Sequence, residues 1–89
     1  MTITTTLRDR NSRYGPYLQQ AVTAMDLKST FRLQAGWSKL EADQMDALDQ
    51  FATKIARILN GDPNYIDNWH DIQGYAKLVE DRLQSEQQP

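Results

Sequence analysis

Two cations and three acceptor-bearing side chains are spaced so that they could share one ligand. Lys54 and Arg57 are three residues apart, on one face of a helix if that stretch is helical. Asp67, Asp71 and Tyr75 recur at intervals of four, again one face. A short connection around Asn60-Gly61-Asp62-Pro63 turns the chain between the two groups, so an antiparallel hairpin brings them to one level. Ligands that use this set are phosphate-bearing: the cations meet phosphate oxygens, Asp67 and Asp71 hold Mg²⁺, and Tyr75 or Trp69 flanks a base. Mg²⁺ needs only one or two protein carboxylates when phosphates and waters complete its shell. The plain structural alternative is a rim salt bridge between Arg57 and Asp71, with Asp67 as a helix cap and Tyr75 as core.

Three helices are expected to position these residues. Pro16 suits a first helical position, and Leu18, Ala21, Val22, Met25 and Phe31 form an apolar stripe up to Gly36. Ser38-Lys39-Leu40-Glu41 reads as a capping box opening a second helix that ends at Asn60. Its buried line is Met45, Leu48, Ala52, Ile55 and Leu59, with Gly61 as a left-handed stop before Pro63. Asp67 then caps a third helix to about Ser85, whose core positions are Trp69, Ile72, Ala76, Val79 and Leu83. Gly74 inside that helix points to a close approach by a helix or ligand. The fold class is therefore all-α: a three-helix domain over residues 14–85, an N-terminal arm over 1–13 carrying Arg8, Arg10 and Arg13, and a polar tail over 86–89.

Composition narrows the function classes. The 89 residues include no cysteine and one histidine, His70, which excludes disulfides, a thiolate metal site and a histidine-rich one. A net charge of −2, from 10 basic and 12 acidic side chains, argues against general nucleic-acid coating. There is no apolar run of membrane-spanning length and no signal-peptide form, so the expected location is the cytoplasm. A chain this short has a small core, and self-association is the expected remedy. Tyr17, Phe31 and Trp37 are the interface candidates, in a homodimer or larger homo-oligomer. No phosphate loop, nucleophile elbow or catalytic triad is present.

From Lys54-Ile-Ala-Arg57 through Asp67-Asn-Trp-His-Asp-Ile-Gln-Gly-Tyr-Ala76, with Arg13-Tyr14-Gly15 upstream, the chain resembles a group of small phage and prophage proteins of unassigned function. The resemblance runs over about residues 7–83. More distantly, that group is similar to phage nucleotide-modification-associated helical domains and to MazG-like all-α nucleoside triphosphate pyrophosphohydrolases. These enzymes are Mg²⁺-dependent oligomers with acidic motifs on facing helices. Their E-x-x-D-x-x-x-Y motif is echoed by Asn68, Asp71 and Tyr75, whereas the second helix offers only Asp46 and Asp49 for the other motif. The resemblance implies nucleotide or phosphate-ligand binding in a bacterial host. A non-enzymatic protein-interaction module and a working pyrophosphohydrolase are the alternatives.

Overall fold

The computed structural model describes residue 10 and residues 13–88. Three α-helices account for most of them: α1 (Tyr17–Arg32), α2 (Ala42–Asn60) and α3 (Ile66–Gln87), with a 3-10 turn over Ala35–Lys39 between the first two. No strand occurs among the described residues, so the chain is an all-α three-helix domain.

Helix α2 is the middle of the arrangement. Both α1 and α3 pack on it, and they share no substantial contact with each other. The α2 residues turned to α1 include Asp49, Thr53 and Asn60; those turned to α3 include Asp43, Ala47, Phe51 and Lys54. At about 100° per residue these two sets lie roughly 140° apart around the helix. The three helices thus form an open layer rather than a closed bundle. Its dimensions are 53 × 28 × 21 Å, and its radius of gyration of 15.5 Å exceeds the ~12 Å of a compact domain of this length.

The core matches that openness. Its buried apolar residues are Ala24, Ala47, Ala52 and Ala56, and two polar residues, Gln20 and Asn68, are buried with them. Small side chains let the backbones approach closely, and long side chains are displaced to the edges. The expected apolar stripes are accordingly rotated. Leu18 and Val22 face away from α2 and Met25 lies at the edge of its contact with α1; they are 74%, 51% and 59% exposed. On α2, Ala52 is buried but Ile55 and Leu59 are exposed; on α3, Trp69 is exposed, and its indole N–H donates to the Pro63 carbonyl at 2.8 Å. No third helix closes over these positions, because α1 and α3 occupy separate sides of α2.

Three ion pairs tie the layer together: Arg32 to Asp49 between α1 and α2, and Lys54 to Asp71 and Arg82 to Asp43 between α2 and α3. Both arginine pairs are bidentate, at 2.7–3.0 Å for Arg32 and 2.6–2.7 Å for Arg82. The Asn60 amide adds a hydrogen bond to the Thr23 hydroxyl at 3.1 Å.

Several local expectations shift. Helix α1 ends at Arg32, and Gly36 sits in the 3-10 turn. Helix α2 opens three residues later than Ser38 suggested, with Gln44 Oε1 accepting from the Glu41 N–H at 2.8 Å. Asp43 takes the Gln44 N–H at 2.9 Å. Tyr65 rather than Asp67 precedes α3. Gly61 has a negative φ (−134°) and is not left-handed, and its role is close approach: a Cβ there would overlap the backbone of Arg13 and Tyr14. Gly15 is the residue with positive φ, at 83°, and a Cβ on it would overlap the Asn60 carbonyl. The two glycines let the turn before α1 lie against the end of α2, where the Asp62 N–H donates to the Arg13 carbonyl at 2.9 Å. Gly74, by contrast, has open space where its Cβ would be.

Candidate functional site

The structure divides the residues that the sequence grouped. Lys54 Nζ and Asp71 Oδ2 are 2.9 Å apart, and the lysine stem is largely covered (side chain 12% exposed). The hydrogen bond from Lys54 holds the Asp71 carboxyl below its ordinary range, against a smaller opposing effect of desolvation. Tyr75 lies beside this pair, lining a shallow groove with His70, Asp71, Gly74 and Leu78. Asp67 is one helical turn earlier and accepts from the Tyr65 hydroxyl at 2.9 Å, which raises the Tyr65 pKa. Both acids proposed for Mg²⁺ therefore have protein partners, and no group of three or more metal-ligating side chains forms among the described residues.

Arg57 points elsewhere. Residues three apart on a helix differ by about 60° in direction. That angle is enough for Lys54 to lean toward α3 while Arg57 leans toward α1. Arg57 reaches Asp71 only as the smallest of the influences on that carboxyl. Its guanidinium instead stacks over the Tyr14 ring, 4.5 Å from the centroid, and its Nε is buried with no hydrogen-bond partner.

Around Arg57 the α1–α2 interface opens into a groove of about 260 Å³. Arg10, Lys28 and Arg57 supply three cations to its walls, Tyr17 an aromatic ring, and Gln20 and Thr53 polar groups; no lining residue is acidic. Arg10, Lys28 and Arg57 make no ion pair among the described residues. Arg10 also stacks on Tyr14 and Tyr17, at 5.2 and 5.9 Å. Gln20 is only 4% exposed, and its Oε1 has no partner. An unmet buried acceptor or donor costs roughly 1–3 kcal/mol, and two residues of this wall, Gln20 and Arg57, each carry one buried polar atom with no protein partner. The chemistry on offer is binding: cations for an anion, an aromatic platform, and an amide for a hydroxyl or amine.

Part of this groove was visible in the sequence and part was not. Arg57 was already a ligand candidate and Arg10 one of the three arginines of the N-terminal arm, of which Arg8 lies outside the described residues. Tyr14 reads in sequence as part of a turn, yet it joins Arg10 to Arg57. Gln20 and Lys28 sit off the apolar stripe and carry no motif. Of the three interface candidates, Tyr17 is 65% exposed, whereas Phe31 and Trp37 stack on each other within the chain at 6.4 Å, with Arg32 over the indole. Comparison with known protein families, curated proteins and solved structures finds no match.

Proposed function

We propose that this protein binds a phosphate-bearing small molecule of nucleotide type in the groove between α1 and α2, without converting it. The observation that carries the proposal is the set of three cations, Arg10, Lys28 and Arg57, around a groove with no acidic lining and with unpaired buried polar atoms on Gln20 and Arg57. Charge-assisted hydrogen bonds to phosphate oxygens are about twice as strong as neutral ones, and a guanidinium presents them as a fork. The Lys54–Asp71–Tyr75 cluster belongs to the α2–α3 contact in this reading. Mg²⁺, if it takes part, arrives on the phosphates, since Lys54 already holds Asp71. The resemblance over Lys54–Tyr75 is the support for reading this role as one in phage-derived nucleotide metabolism or modification; a bacterial cytoplasm and a homo-oligomer belong to the same proposal. No described helix is long and apolar enough to cross a membrane.

The test is a thermal-shift screen over nucleotides, sugar phosphates and pyrophosphate, with and without Mg²⁺. A ligand that binds only the native state raises the midpoint by mass action, by about 2.7 kcal/mol of stability at a hundredfold excess over Kd. A rise with nucleotides that persists without Mg²⁺ supports the groove; a rise seen only with Mg²⁺ points back to Asp67 and Asp71. A second reading, a protein-interaction module, is favoured by the exposed apolar residues of α1.

A further inference from the structure

The cations of the α1–α2 groove stand at two separate stations. Tyr17 and Lys28 both line it, eleven residues apart on α1. That spacing puts them within about 20° of one line along the helix and about 16 Å apart along its axis. Arg10 stacks on Tyr17 at one end, and Lys28 stands at the other. Helix α2 contributes Arg57. Asn60 bonds to Thr23 and Asp49 to Arg32, so the two helices run antiparallel and the Arg57 backbone comes level with the stretch between Thr23 and Lys28. Its guanidinium reaches the Tyr14 ring, which Arg10 also touches, at 4.5 and 5.2 Å from the centroid. Two arginines therefore serve the Tyr14–Tyr17 end, and one lysine serves the far end.

We infer that the ligand of this groove is a short phosphodiester-linked chain, a di- or trinucleotide, rather than a mononucleotide. The inference rests on the groove being the binding site. The phosphoryl groups of a nucleoside di- or triphosphate share bridging oxygens and form one cluster, which meets one station and leaves the other empty. Phosphates of successive nucleotides are held apart by a sugar, and so reach both. The residue types suit the two positions. A terminal phosphate has the oxygens to take forked arginine bonds, whereas a linking phosphodiester has one charge and needs only a point cation such as Lys28. Asp49, the acid that Lys28 influences, has both carboxylate oxygens on Arg32, so the lysine is left for a ligand.

The groove between the stations fits such a chain. Gln20 lies between Tyr17 and Lys28 on α1, is 4% exposed, and has its Oε1 without a partner, an acceptor placed where sugar hydroxyls pass. Tyr17 is exposed beside Arg10 and offers a ring on which a base stacks, the combination of cation and aromatic platform that holds single strands. The net charge of −2 opposes coating of long nucleic acid, and the groove has room for only a few phosphates.

The test is calorimetric titration of the full chain with 5′-phosphorylated oligoadenylates of one, two and three nucleotides. Kd should fall about tenfold or more from one nucleotide to three, as a second charge-assisted contact is added. The slope of log Kd against log salt should steepen by about 0.7 for each further phosphate engaged. Lys28→Met should abolish the gain with length and leave the mononucleotide unchanged. Lys39→Met, which removes the same charge outside the groove, should change neither, and circular dichroism checks that both variants fold. Equal Kd across the three lengths, or a Lys28→Met loss as large for one nucleotide as for three, overturns the inference and leaves the groove reading standing. Binding to none of them overturns the inference, and the groove reading falls with it.

Discussion

Replacing Gly15 by alanine tests whether the turn before α1 is a fixed part of the structure. Gly15 holds φ at 83°, where an L-residue pays roughly 1–2 kcal/mol. The added Cβ would also overlap the Asn60 carbonyl, so the turn must move from the end of α2. That movement breaks the hydrogen bond from the Asp62 N–H to the Arg13 carbonyl, a further loss of about 1 kcal/mol. The expected cost is therefore roughly 2–3 kcal/mol, set against a total of about 4–13 kcal/mol for a chain of this size. Thermal melting followed by circular dichroism should show Tm lower by about 10 °C or more. Gly74→Ala is the matched control. Its Cβ meets open space, and replacing a helical glycine should raise stability by up to about 1 kcal/mol. A Gly15→Ala protein that melts with the wild type would refute the packing of this turn, and with it the positions of Arg10 and Tyr14 beside Arg57.

Other perturbations separate the forces at work. Ala56→Leu, at a position with no exposed surface between packed helices, should cost about 1–3 kcal/mol by overpacking, read as a lower urea midpoint at unchanged slope. Lys54→Met keeps the covered stem, breaks only the pair to the half-exposed Asp71 and should cost about 0–1 kcal/mol in the same assay. Acid should weaken the fold through Asp43, Asp49 and Asp71, each lowered from the ordinary 3.8 chiefly by hydrogen bonding to Arg82, Arg32 and Lys54 respectively. A carboxylate lowered on folding contributes fully above its unfolded value and loses that contribution as pH falls through the folded one. Stability should thus hold from neutrality to about pH 5 and fall below pH 4, and Asp43→Asn should make the decline shallower.

The helices were legible in the sequence because their signals are local. Gly61-Asp62-Pro63 ends α2, and apolar residues recur every three or four positions on each side of it. Direction was not legible. Periodicity shows that α1 has an apolar stripe, but Leu18, Val22 and Met25 form one side and Ala24, Leu27 and Phe31 another. Only the position of α2 decides which is covered. Burial of Gln20 and Asn68 likewise depends on how closely a neighbour approaches, and side-chain type argues against it. The start of α2 was misplaced because Ser38–Glu41 and Glu41–Gln44 are overlapping capping patterns three residues apart. At the candidate site, spacing correctly brought Lys54 to the level of Asp71 and Tyr75. It could not show that about 60° of helical rotation is enough to turn Arg57 from α3 toward α1, where Tyr14 and Arg10 meet it.

Calorimetric titration of the wild type, Arg57→Ala and Lys54→Ala with ATP, dATP and GTP at fixed salt is the most direct test of the α1–α2 groove. Removing one charge-assisted contact of about 1.5–3 kcal/mol corresponds to roughly 10- to 100-fold in Kd. The groove predicts nucleotide binding by the wild type, a loss of that size in Arg57→Ala, and wild-type affinity in Lys54→Ala. A well-folded wild type that binds none of the three, or affinity lost in Lys54→Ala and kept in Arg57→Ala, would contradict it.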